Sequence, residues 1–172
     1  NYQSATIPMS IDGNGELKIS STDGAYVHNF LVALESDKKY VGVVSGTLER
    51  INEPLKMTYT PLRLESDNNN LFQFKLFNGI SDINALDFYA DNELVAGGLV
   101  YGDFTEYLEI STSVEIISIR ESITGNEIGQ YNIDISQRSG QTGVIFASGY
   151  LNDQNINAPF TVNIAYPNGN VE

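Results

Sequence analysis

Asp12, Asn14 and Glu16 stand at alternate positions in IDGNGEL, the spacing with which oxygen-bearing side chains converge on a calcium ion. Counted from Asp12, the twelfth position is Asp23, where a helix–loop–helix calcium loop closes with an acidic residue. These four residues are the candidate metal set, and calcium is the one candidate cofactor. The flanks read as strands rather than helices, so the competing reading is a hairpin turn that uses Asp-Gly and Asn-Gly for positive φ. A second acidic group, Asp82, Asp87 and Asp91 with Glu93 nearby, falls in one short segment and would form a binding set if it gathered at one end of a β-structure. Alternation puts Asp87 on the face opposite Leu86 and Phe88, which fits a turn-supporting or solvent-facing role equally well.

Other chemistries find little to work with. His28 is the only histidine, which excludes a multi-histidine metal site, and no Gly-x-Ser-x-Gly stretch accompanies it. Its neighbours Tyr26, Val27 and Phe30 place it on a strand. The chain has no cysteine, hence no disulfide, thiolate ligand or thiol nucleophile. No glycine-rich loop joins a strand to a helix as nucleotide binding requires. Ten tyrosines and eight phenylalanines offer stacking surfaces for a sugar ring, but tryptophan is absent and most of these aromatics fall on faces expected to be buried. A non-enzymatic protein is the expectation.

The net charge of −13 repels phosphate backbones and anionic lipid headgroups, so nucleic acid is not an expected partner. No run approaches the ~20 apolar residues of a membrane-spanning helix, and direct membrane insertion of this segment is not expected. The first residue is Asn1, with no signal-peptide pattern after it.

What must position these residues is a set of strands. Phe72, Phe74 and Leu76 alternate with Gln73 and Lys75, Leu55, Met57 and Tyr59 with Lys56 and Thr58, and Phe160, Val162 and Ile164 with Thr161 and Asn163. Each run reads as a strand with one buried face, and Asp-Gly, Asn-Gly and strings of Asn punctuate them. Ile110, Thr112, Val114, Ile116, Ile117 and Ile119 are too densely β-branched for the helix their region otherwise invites. About a dozen strands at sandwich-like intervals make the chain all-β.

The chain also repeats itself. INEPLKMTYTP returns as INAPFTVNIAYP, and Gly46-Thr47-Leu48 returns as Gly149-Tyr150-Leu151 at an offset of 149 − 46 = 103. Pro54 matches Pro159 at 159 − 54 = 105, and Lys39 to Gly46 parallels Gln141 to Gly149. A tandem of two β-sandwich modules is therefore expected, a partial one over residues 1–66 and a complete one over 71–172, the first lacking its N-terminal hairpin. Strands equivalent to Leu71 through Val100 have no counterpart in the first copy. Loss of upstream residues is the favoured explanation, against a minimal first module packed on the second or pairing with another chain as an edge-strand dimer.

From Phe74 to Leu94, FKLFNGISDINALDFYADNEL resembles the signature of the bacterial secreted and envelope family described as domain of unknown function 4397, and Tyr101-Gly102-Asp103-Phe104-Thr105-Glu106-Tyr107 is similar to its Tyr-Gly…Thr-x-Tyr stretch. Ile80-Ser81-Asp82-Ile83 departs from the family's Ser-Pro-Asp-Ala, and no Ala-Gly follows Tyr107; both lie in loops. The resemblance implies immunoglobulin-like or transthyretin-like sandwich modules, often in tandem, on exported bacterial proteins, lipoproteins among them, and implies no activity. The expected setting is extracellular or cell-envelope. The expected roles are adhesion, surface assembly or binding of an extracellular protein or glycan, with a calcium- or carbohydrate-binding accessory module of a larger secreted protein as the alternative.

Overall fold

Short, β-branched segments satisfy their backbone groups in ladders rather than helices, and the computed structural model contains twelve such strands among the described residues. It describes residues 13–20, 24–25, 27–46, 55–151 and 159–167. In chain order the strands are β1 (Asn14–Ser20), β2 (Val27–Ala33), β3 (Lys39–Ser45), β4 (Lys56–Leu62), β5 (Leu71–Ile80), β6 (Ala85–Ala90), β7 (Glu93–Val100), β8 (Leu108–Ser111), β9 (Ile116–Glu121), β10 (Glu127–Asn132), β11 (Thr142–Gly149) and β12 (Thr161–Ala165). No described residue is helical, and the β-branched stretch after Tyr107 divides between β8 and β9 as its composition dictates.

Strands β5 to β12 build a sandwich of two four-stranded sheets, ordered β10-β9-β6-β7 and β12-β11-β5-β8. All neighbours are antiparallel except β5 and β11, which run parallel from Thr142 opposite Gln73 to Gly149 opposite Ile80. The core lies between the sheets. Phe72, Phe74, Leu76 and Ile145 meet Leu86, Phe88, Ile117 and Ile119 there, each essentially removed from water. Burying side chains of this size contributes ~1.5–3 kcal/mol apiece before conformational entropy is set against it.

β5 departs from the one-buried-face expectation, because Gln73, Lys75 and Phe77 are buried as well as their inward-facing neighbours. The strand is central in its sheet, and residues 101–107 fold back over its outer face. Phe104 packs on Phe77 with ring centroids 4.7 Å apart. The Thr105 hydroxyl accepts the Leu76 N–H at 2.9 Å, and the Lys75 ammonium reaches the Thr105 carbonyl at 3.4 Å and lies 5.0 Å from the Tyr107 ring centre. Alternation shows which residues face the other sheet, but it does not show what covers the outside.

The described residues before Leu71 adopt a different arrangement. They form two separate hairpins, β1–β2 and β3–β4, each a two-stranded sheet. The core cluster draws no residue from them. The tail of the second hairpin is nonetheless tied to the sandwich. Thr58 donates to the Gly102 carbonyl at 2.8 Å, the Arg63 N–H donates to the Tyr107 hydroxyl at 2.6 Å, and the fully buried Thr142 donates to the Arg63 carbonyl at 2.6 Å.

β3–β4 and β11–β12 share one pairing register. Ser45 lies opposite Lys56 and Val41 opposite Thr60; Ser148 lies opposite Thr161 and Val144 opposite Ala165. Shifting the first set by the sequence offsets of 103 and 105 gives the second. Gly46, just after β3, and Gly149, the last residue of β11, have φ of +96° and +111°, a region that excludes most side chains.

Candidate functional site

The structure distributes the acidic residues along β6 rather than collecting them. Asp82 precedes the strand, Asp87 lies within it and Asp91 follows it, so the first and last stand beyond opposite ends of a six-residue strand. At ~3.3 Å per residue that separation is far beyond a shared ligand. Each carboxylate instead supports the backbone. Asp87 Oδ1 accepts from the Gly98 N–H at 2.8 Å and from the Ser122 hydroxyl at 2.5 Å, which pins the irregular pairing of β6 and β7 to the end of β9. Asp91 and Asn92 form the β6–β7 turn at φ of +43° and +73°, and Asp91 Oδ1 accepts from the N–H groups of Glu115 and Ile116. Asp82 Oδ2 accepts from the Leu151 N–H at 2.9 Å. Among the described residues no three His, Asp or Glu side chains are grouped as metal ligands would be.

In the candidate metal set, Asp12 and Asp23 lie outside the described residues. Asn14 and Glu16 occupy alternate, exposed positions of β1, opposite Ala33 and Leu31 of β2, so both point from one face of a hairpin. Gly13, just before them, has φ of +65°. His28 is on β2, as its neighbours indicate, with its ring centroid 4.6 Å from that of Phe30.

The cleft between edge strands β10 and β12, lined by Tyr131, Asn132, Ile133, Asp134, Val162 and Ile164, encloses about 170 Å³, below the ~300 Å³ at which small-molecule sites begin. Desolvation raises the Tyr131 hydroxyl above the usual tyrosine range. Ser136 donates its hydroxyl and its N–H to Asp134 Oδ1 and holds that carboxyl below the usual range. A second polar centre joins the two halves of the chain. The Arg63 guanidinium lies 4.9 Å from the Tyr107 ring centre and pairs with Asp67, while partial burial raises the Tyr107 hydroxyl.

Exposed apolar side chains occur in the first two hairpins as well as at Leu64, Leu94, Val100 and Ile123. Leu31 is 85% exposed and Val27 is 51% exposed on one face of β2, and Ile19 and Val44 are also open to solvent. Among the described residues β1 pairs only with β2 and β3 only with β4, so each hairpin presents further backbone donors and acceptors along its outer edges. Sequence reasoning assigned no function to these residues. The available signal was Phe30-Leu31-Val32, apolar on both faces of a strand whose sheet has only two members.

Comparison with known proteins matches the chain to a family. Residues 72–171, which include the whole sandwich from Phe72 on, match the model of the family described as Domain of unknown function (DUF4397). No curated protein and no solved structure matches the chain.

Proposed function

The chain belongs to the DUF4397 family, and from that premise we propose that it is a non-enzymatic, exported β-sandwich protein that works by surface assembly or adhesion. One observation carries this reading. Beside a sandwich with its own core stand two hairpins that pair with no further strand among the described residues and whose apolar side chains Val27, Leu31 and Val44 are exposed. Exposed apolar side chains next to a strand edge are what strand-to-strand association uses, since main-chain hydrogen bonds supply affinity and alternate side chains supply selectivity. The acidic residues that suggested a binding cluster are engaged in holding turns, which leaves the edges as the surface with unused bonding capacity. The first two hairpins, the second of them in the register of β11–β12, are read as part of a further module like the one formed by β5 to β12.

The test is retention of the labelled protein on a panel of immobilised extracellular proteins and glycans, compared with a Leu31→Lys variant whose unfolding midpoint is unchanged. Saturable retention on at least one surface, reduced several-fold by the variant, is expected. No retention on any surface would remove this reading. Retention that depends on calcium and disappears with Asp12→Ala would replace it with a calcium-dependent accessory binding module.

A further inference from the structure

We infer that the cleft between β10 and β12 is a binding site for a primary ammonium group on an alkyl stem, the stem entering between the two sheets and the ammonium resting at Asp134. The site belongs to the sandwich, so it does not depend on what the first two hairpins bind.

The cleft forms where the sandwich ends. Among the described residues β10 and β12 are terminal strands of their sheets, and the space they leave is about 170 Å³. A cavity of ~150 Å³ accommodates a ring the size of benzene, so this cleft takes one side-chain-sized group. Its apolar walls come from both sheets. Ile164 belongs to the core, and Ile133 and Val162 pack against it. Tyr131 adds an aromatic wall. Its ring packs edge-on against Phe160 with centroids 5.5 Å apart, and it lies over Gly129, where a Cβ would stand 3.2 Å from both the ring edge and the hydroxyl. A side chain at position 129 would crowd the ring out of this place.

The polar residues of the cleft offer oxygens. Asp134 Oδ1 takes the Ser136 hydroxyl at 2.7 Å and the Ser136 N–H at 3.2 Å, while Oδ2 takes no hydrogen bond among the described residues. The Asn132 amide and the Tyr131 hydroxyl have no partner among those residues either. An ammonium has three donors and no acceptor, which suits a carboxylate, an amide carbonyl and a phenol oxygen around one space, and the Tyr131 ring adds a cation–π surface. Ser136 fixes the carboxylate in advance, which lowers the cost of ordering it around a ligand. The same two bonds, with the charge of Arg138 behind them, hold the Asp134 carboxyl below the usual range and keep it ionised; the Arg138 guanidinium itself lies 3.8 Å from the Tyr166 ring centre. Charge selects the sign of the ligand, because a chain of net charge −13 draws cations and repels anions. A bare metal ion is a poorer fit, since no three acidic or histidine side chains are grouped among the described residues.

The test follows NMR spectra of the whole chain during titration with n-butylammonium, beside n-butanol, which has the stem without the charge, and ammonium chloride, which has the charge without the stem. Saturable shifts at Tyr131, Ile133, Val162 and Ile164 are expected with n-butylammonium, at an affinity at least tenfold above that for either control. Asp134→Asn keeps an oxygen for Ser136 and removes the charge. It should weaken n-butylammonium at least fivefold and leave n-butanol unchanged, with the spectrum of the folded chain otherwise intact. Nα-acetyl-lysine methylamide separates the sources of the group: binding at least as tight as that of n-butylammonium assigns the cleft to lysine side chains of a partner, and binding tenfold weaker assigns it to free amines. Equal affinity for n-butylammonium and n-butanol would reduce the cleft to an apolar gap and overturn the inference. Shifts spread over acidic surface residues with none at the cleft would overturn it too, as would an Asp134→Asn variant that binds like the unmodified chain, or no binding at all. Leu31→Lys should bind n-butylammonium unchanged, so failure here and failure of the hairpin reading are separate results.

Discussion

Asp87 is the residue where a binding role and a supporting role make different predictions. Its Oδ1 takes the Gly98 N–H and the Ser122 hydroxyl, and Asp87→Ala leaves both donors without this acceptor. At ~1 kcal/mol per lost hydrogen bond, more where a donor is stranded, the variant should lose about 1–3 kcal/mol, a drop of several degrees in Tm. Asp87→Asn keeps an oxygen in place and should recover at least half of that loss, and neither change should alter retention on any surface. A variant with unchanged Tm and lost retention would return Asp87 to a binding role. The calcium candidate is settled at the same scale, by recording Tm with chelator and with excess calcium. A site saturated at ~100 times its Kd adds ~2.7 kcal/mol to the folded state, enough to move Tm by several degrees. With Asn14 and Glu16 on an exposed strand face, Tm is expected not to move. A rise abolished by Asp12→Ala would place a cation there.

At the scale of the elements, the contact between the β4 tail and residues 101–107 turns on Tyr107. Its hydroxyl accepts the Arg63 N–H, its ring lies against the Arg63 guanidinium and the Lys75 ammonium, and burial raises its pKa above the ordinary value of 10.0. A raised folded-state pKa means that the folded protein holds this proton more tightly than the unfolded chain. The associated stability is therefore fully present below the ordinary tyrosine pKa and is lost as pH rises through the raised one. Denaturant unfolding between pH 8 and 11 should show a fall in stability beginning near pH 10, and Tyr107→Phe should flatten part of it; Tyr131, also raised, accounts for a further share. A Tyr107→Phe profile identical to that of the unmodified chain would remove Tyr107 from the account. Strand positions themselves were legible in sequence, because Phe72-Gln73-Phe74-Lys75-Leu76 and Phe160 to Ile164 alternate with little ambiguity. The second layer over β5 was not, since Gln73 and Lys75 look solvent-facing by pattern and are covered by residues ~30 positions away, a tertiary fact that period-2 alternation does not encode.

For the whole molecule, the all-β class and the family of the second half were readable from residues, whereas the dispersal of Asp82, Asp87 and Asp91 was not. Proximity in sequence suggested a cluster, but an extended strand separates residues that a turn would gather. The internal repetition pointed to a partial first module, and the structure adds what repetition alone lacks: two hairpins, one of them in the register of β11–β12, with apolar side chains open to solvent and no share in the core. The central claim is that stability resides in β5 to β12 while the first hairpins, among the described residues, pair only within themselves. Hydrogen–deuterium exchange of the whole chain tests this directly, because amides in central strands open only with global unfolding and edge amides exchange through local opening. Slow exchange throughout β5, β6, β9 and β11 is predicted, with exchange in β1, β2, β3 and β4 faster by several orders of magnitude. Equal protection across all of these strands would show that the first hairpins already have their partners, and would contradict the account.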